Sequence, residues 1–125
     1  MKSFRDLRVW MAAMDLVEDV YLLTQDFPKH ELYALASQIQ RAAVSVPSNI
    51  AEGHTREHLK EYLHHLSMAQ ASLAELETQL EIAHRLGYIS SEQFKGVLAK
   101  TSSLGKQLYA LRNSLARSIR PAPVT

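Results

Sequence analysis

"TREHLKEYLHHLSMAQASLAELETQLEIAHRL", residues 55–86, places leucine every seven positions, at Leu59, Leu66, Leu73 and Leu80. Tyr62, Ala69, Leu76 and Ala83 fill the second seam position of the same repeat. A seven-residue apolar period keeps one narrow face of an α-helix buried and favours left-handed, knobs-into-holes packing against other helices. The spacing predicts a long helix from about Thr55 to Leu86 within a helical bundle, with Gly87 as the C′ residue that ends it.

Three further helices follow by moving outward. Downstream, Ser90 and Gln93 form a capping-box pair, and Phe94, Val97, Thr101, Leu104, Leu108, Leu111 and Leu115 form a seam that Pro121 ends. Upstream, Leu35, Ile39, Ala42, Ala43, Val46 and Ile50 trace another apolar face, beginning after "PKHEL". The first helix is expected from Ser3 to Phe27, with Ser3 and Asp6 at its start and Pro28 beyond its end. The connections are short, so sequential helices should be antiparallel neighbours. The expected fold is all-α, an up-down-up-down four-helix bundle spanning residues 1–120 with a short tail, 121–125.

Composition agrees. The chain has 125 residues, enough for one domain with its own core, and only four Gly and four Pro. It has no cysteine, which excludes disulfides and thiolate chemistry. "MKSFRDLRVW" lacks the apolar core of a signal peptide, and no run approaches the ~20 apolar residues of a membrane span. A soluble, cytoplasmic protein is expected, without membrane association.

The first helix carries two apolar stripes. One is Leu7, Trp10, Met14, Val17 and Tyr21; the other is Val9, Ala13, Leu16, Val20, Leu23 and Phe27. Only a narrow polar strip separates them, with Arg8, Asp15, Asp19 and Asp26. A helix in a monomeric bundle needs one buried stripe. Val9, Leu16, Val20, Leu23 and Phe27 are therefore expected to form an interface between copies of the chain.

"VSVPSNIAEG", residues 44–53, interrupts the second helix with a proline. Pro47 has no N–H and crowds the carbonyl of Ala43, a penalty of roughly 3 kcal/mol in a helix interior. The helix either breaks or continues with a kink. The apolar spacing passes unbroken from Val46 to Ile50, which favours a kinked, continuous helix. Arg41, Ser45, Ser48 and Glu52 share one stripe, edged by Gln38 and Asn49. Such a stripe is either a solvated face or a polar seam against another helix or subunit.

"FRDLRVW" (4–10), "LASQIQRAAVSVPSNIAEG" (35–53) and "SLAELETQLEIAHRLGYI" (72–89) resemble the family of four-helix-bundle proteins encoded in intervening sequences of bacterial 23S rRNA genes. The strings from Asn49 to Gly53 and from Glu75 to Leu80 are the most specific; the last helix carries little of the likeness. The resemblance implies a ring-like homopentamer. It also implies kinship with the accessory protein of diversity-generating retroelements, which binds nucleic acid and a reverse transcriptase. It supplies no catalytic residues. In its light Pro47, Asn49, Glu52, Gly53, Glu75 and Glu77 are structural motif positions: Pro47 tilts the end of helix 2, while Asn49 and Glu52 bind neighbouring helices or fix a turn at Gly53.

Little in the chain suggests chemistry. His54, His58, His64 and His65 crowd twelve residues, and His54 and His58 at i, i+4 would present two imidazoles to a metal if both lay in one regular helix. No carboxylate completes a familiar zinc pattern, so surface histidines are the plainer reading. Glu61 and His64 make one Glu-x-x-His match without the mate that a di-iron bundle needs. Salt bridges with Arg41, Lys60 or Arg85 are the expected use of Glu75, Glu77 and Glu81. Phosphate loops, nucleophile elbows and Ser/His/Asp arrangements are missing. Neither an enzyme nor a cofactor or metal is expected.

Charge is the stronger lead. The net charge of +1 conceals thirteen acids, all at or before Glu92, against eight Lys/Arg in the same span; from Gln93 there are six Lys/Arg and no acid. Lys95, Lys106, Arg117 and Arg120 fall within about 60° on a helical wheel, opposite the apolar seam. A row of cations on that scale suits phosphates, and repetition in an oligomer would add avidity. Only Tyr109 interleaves, so base stacking is not indicated. Two functional classes follow: an oligomeric module binding RNA or DNA through the last helix, or an oligomeric scaffold whose basic row docks an acidic protein partner.

Overall fold

The structure, a computed structural model, describes residues 3–118. Among them are four helices: α1 (Arg8–Thr24), α2 (Leu35–His54), α3 (Leu59–Arg85) and α4 (Ser91–Arg117), with single 3-10 turns at Phe4–Asp6 and Lys29–Glu31. Each helix packs on its two neighbours in a ring, α1 on α2, α2 on α3, α3 on α4 and α4 back on α1, with the most extensive packing between α2 and α3.

Side-chain pairs give the directions. Ser45 meets Ser72 while Asn49 meets His65; Asp19 meets Lys100 while Leu7 and Leu111 line one groove. Residue numbers rise on one helix as they fall on its neighbour, so both pairs are antiparallel. His84 beside Ser91 and Gly105 beside Leu73 set α3 against α4 in the same sense.

The seams read from sequence form the core. Leu66, Leu73, Leu76 and Leu80 of α3 are buried with Ile39, Val46 and Ile50 of α2 and with Leu104 and Leu108 of α4. Thr101 is the one hydroxyl within α4's buried stripe, and its Oγ1 donates to the carbonyl of Leu98 at 2.9 Å, so it enters the core without an unmet donor.

The ends of the helices follow local chemistry. Ser90 and Gln93 close a reciprocal capping box at α4: Gln93 N donates to Ser90 Oγ at 3.0 Å and Ser90 N donates to Gln93 Oε1 at 2.9 Å. Gly87 adopts φ +79°, Gly87 N donates to His84 O and Tyr88 N donates to Ala83 O, the two hydrogen bonds of a Schellman stop. Tyr88 then reaches across the base of the bundle, its Oη donating to Glu31 Oε2 at 2.8 Å while its ring packs on Phe27. That hydrogen bond holds the Glu31 carboxyl below its ordinary pKa, against a smaller opposing effect of burial, and pushes the Tyr88 phenol up.

Three boundaries differ from the sequence expectation. The first helix does not run from Ser3 to Phe27. Ser3 Oγ caps only the 3-10 turn, by accepting from Arg5 N, and Leu7 is extended at φ −75°, ψ 126°. This break lets Phe4 fold edge-on against Trp10 and buries Leu7. At the other end α1 stops at Thr24, whose hydroxyl turns back to Tyr21 O and accepts from Gln40 Nε2 of α2.

The third helix begins at Leu59, four residues later than expected. Thr55 Oγ1 donates to Glu52 O and Arg56 N to Gly53 O, which satisfies the last carbonyls of α2 and separates the helices by an extended His58. Gly53 accordingly lies inside α2 and does not form a turn.

The expected interface on α1 is also corrected. Val9, Leu16, Val20 and Phe27 are buried in the chain's own core, and the half-buried Leu23 packs against it. The second stripe has its partners within the molecule, because α1 sits between α2 and α4 and must bury a face wide enough for both. The stripe that leans outward is the other one, where Met14 and Tyr21 are exposed and Trp10 and Val17 half-buried.

Candidate nucleic-acid interface

The residues of the "SVPSNIAEG" stretch answer one another within the chain. α2 continues through Pro47. Just after the missing hydrogen bond, Ser48 Oγ donates to Val44 O at 2.8 Å and Asn49 Nδ2 donates to Ser45 O at 2.9 Å. A carbonyl can only accept, so the Asn49 amide is fixed with Oδ1 towards His65 Nδ1, 3.1 Å away on α3, and the imidazole must donate there. Asn49 Nδ2 also reaches Ser45 Oγ, which bonds Ser72 Oγ of α3 at 2.8 Å.

Gly53 completes this seam by bringing the helices together. A Cβ there would lie 2.6 Å from His65 Cβ and 3.3 Å from the Tyr62 carbonyl. Glu52 stays exposed, 3.8 Å from His65 Nδ1. The stripe is split: Ser45 and Asn49 form a polar seam with α3, whereas Gln38, Arg41, Ser48 and Glu52 are exposed.

The carboxylates of α3 are used less than expected. Glu75 and Arg41 line one open polar groove with Gln38, Ser45, Ser72 and Gln79, but neither Glu75 nor Glu77 is in an ion pair among the described residues; Glu81 pairs with Arg85 at 3.2 Å. His54 ends α2 and His58 precedes α3, so the pair does not share a regular helix. Among the described residues, no group of three or more His, Asp or Glu could hold a metal.

The outer face of α4 is organised differently. The capping box fixes the start of the helix, Val97, Thr101, Leu104 and Leu108 bury one side, and the 100° step per residue then points Lys95, Lys106 and Arg117 away from the core. All three are exposed, and among the described residues none is in an ion pair. Between them lie the exposed Ala99, Ser102, Tyr109, Ala110, Asn113 and Ser114 and no acid; the one acid of α4, Glu92, precedes Lys95 in the first turn. Arg120, the fourth cation expected in the row, lies outside the described residues.

Two other cations of α4 are placed otherwise. Lys100 faces α1 and pairs with Asp19. Arg112 is partly buried, and its Nε is enclosed without a hydrogen-bond partner among the described residues. The free cations are thus concentrated on one side, at intervals of eleven residues.

Sequence reasoning missed two polar partners. His65 lies beside the leucine seam of α3 and carries no motif of its own; the pairing with Asn49 depends on how closely Gly53 brings the helices. The bond between Tyr88 and Glu31 joins residues 57 apart in sequence, and neither has a periodic signature.

Comparison with known proteins bears on the fold and the family. A crystal structure of a protein of unknown function from the S23 ribosomal protein family of Bacteroides thetaiotaomicron superposes with a TM-score of 0.75 at 20% sequence identity, over 83% of this chain and 97% of that one. That likeness carries the fold alone. No match was found among curated proteins. The family described as 23S rRNA-intervening sequence protein matches residues 5–110, which takes in all of α1, α2 and α3 and most of α4. The chain belongs to the 23S rRNA-intervening sequence protein family.

Proposed function

We propose that this chain is a non-enzymatic, homo-oligomeric bundle that binds nucleic acid through the outer face of α4. The observation that supports the reading is the row Lys95–Lys106–Arg117: exposed, outside any ion pair among the described residues, and backed by a helix face that is fully occupied by the core. Cations so placed release the counterions condensed on a phosphate backbone, which favours binding without reading base sequence.

The pentamer implied by the family resemblance is part of the same proposal, with a different surface from the one the α1 pattern indicated. Trp10, Met14 and Val17 of α1 and Val44 and Pro47 of α2 line an open apolar groove that a second copy would cover. Met14→Glu combined with Val44→Glu is expected to give smaller species in light scattering at unchanged helicity. Full-size particles would remove this groove from the interface.

The binding test is a salt series. The purified protein is titrated with single-stranded RNA, duplex RNA and duplex DNA at increasing ionic strength. Three phosphate contacts per subunit predict a log–log slope of about −2.7 on duplex DNA, with larger values when several subunits engage. Absence of binding at low salt would reject the reading and favour a scaffold whose basic row docks an acidic protein.

A further inference from the structure

The row on α4 has a spacing as well as a charge. Lys95, Lys106 and Arg117 are separated by eleven residues each. Eleven steps of 100° make three full turns plus about 20°, so the row runs almost parallel to the helix axis. At 1.5 Å per residue the outer cations are ~33 Å apart, with Lys106 midway at ~16–17 Å. One turn of B-form DNA occupies about 34–36 Å.

We propose that the outer face of α4 is spaced for a B-form DNA duplex lying alongside the helix, with Lys95 and Arg117 on phosphates one turn apart and Lys106 on the opposite strand between them. This rests on the reading of α4 as a phosphate-binding face. Long, flexible lysine and arginine stems take up the few ångströms by which the midpoint misses the second backbone.

The neutral residues of the face fit the same ligand. Ala99, Ser102, Ala110, Asn113 and Ser114 are exposed and small or hydrogen-bonding, so the duplex can approach closely, and the hydroxyls and amide add phosphate donors. The lone Tyr109 does not make a stacking track for unpaired bases. A helix laid along the duplex enters neither groove, so the contact is indifferent to sequence and sensitive to helical form. A-form RNA, with its deep narrow major groove and wide minor groove, places its backbones at other intervals along the axis.

Duplex length and form supply the test. The full chain is titrated at low salt with blunt DNA duplexes of about 6, 12 and 18 base pairs, which bracket the roughly 10-base-pair turn, and with duplex RNA and single-stranded DNA matched to the longest. Affinity per available site is expected to rise at least tenfold from the shortest to the middle DNA duplex and then level off, with duplex RNA and single strands several-fold weaker. A variant of the chain then moves the middle cation without changing composition. Lys106→Ser with Ser103→Lys shifts the charge about 60° round the helix and ~4.5 Å along it. It is expected to lower duplex-DNA affinity several-fold and leave single-strand affinity unchanged.

A smooth rise with length and no step, equal or tighter binding of duplex RNA, or an unchanged duplex affinity in the shifted variant would each overturn the B-form spacing while leaving phosphate binding in place. No binding to any of the ligands would overturn both.

Discussion

The α2–α3 seam and the outer face of α4 both set serine, asparagine and charged side chains in rows along a helix. In the seam Asn49 joins Ser45 to His65, Ser45 joins Ser72, and Gly53 removes the side chain that would hold the helices apart. On α4 the corresponding residues, Lys95, Ser102, Lys106, Asn113, Ser114 and Arg117, make no ion pair or side-chain hydrogen bond among the described residues. A row of polar residues on a helix is therefore uninformative until its neighbours are known. The seam's polar residues stabilise this fold, whereas those on α4 are available to something outside it.

The sharpest way to break that contrast is at Gly53. Gly53→Ala puts a Cβ against the Cβ of His65 and near the Tyr62 backbone, neither of which is a flexible side-chain end. Overpacking of this kind should cost about 1–3 kcal/mol, towards the upper end, in urea unfolding. A near-neutral result would mean that the close approach of α2 and α3 is not required. Asn49→Ala comes next. It removes the hydrogen-bond acceptor of the buried His65 Nδ1, leaving only the exposed Glu52 carboxylate 3.8 Å away, and should cost ~1–3 kcal/mol. A cycle with His65→Ala checks whether the two costs are coupled, as contacting residues should be.

Smaller effects sharpen the other side. Ser90→Ala removes the cap that sets the register of α4 and should destabilise by about 1 kcal/mol in thermal or chemical melts. Tyr88→Phe separates a carboxylate from its hydrogen-bond donor, and the sign of its pH dependence is fixed. Glu31's pKa is lowered in the folded chain, so the stability it contributes is present above the ordinary carboxylate value of about 4.3 and lost as the pH falls through the lowered pKa. The melting-temperature difference between wild type and Tyr88→Phe should therefore narrow on acidification through that range. A difference that stays constant would separate the stability effect from Glu31. Lys106→Glu should change stability least, within about ±0.5 kcal/mol, because the side chain is exposed and in no ion pair among the described residues.

Much of this fold is legible from apolar spacing. The seven-residue repeat of α3, the seam of α4, the capping box at Ser90 and the stop at Gly87 all rest on local periodicity or local hydrogen bonding, which sequence records directly. The continuity of α2 through Pro47 was legible for the same reason, since the apolar positions keep step on both sides. What periodicity could not assign was the owner of a face. Val9, Leu16, Val20 and Phe27 form a stripe whether it is covered by another subunit or by the chain's own helices. The break at Leu7 and the turn at 55–58 were hidden because each depends on tertiary burial or on side-chain bonds to helix-end carbonyls. The basic row was readable as charge, and its exposure follows from the opposite face being core. Its ligand is not written in the helix.

The most direct test of the account joins stability and binding in one variant. Lys106→Glu with Arg117→Glu reverses two of the three cations on residues that make no ion pair among the described residues. Its melting transition and its affinity for duplex DNA are measured in the same low-salt buffer as wild type. Stability within about ±0.5 kcal/mol per site of wild type is expected, with an affinity lowered at least tenfold and a shallower salt slope. Equal affinity in a fully folded variant would contradict it.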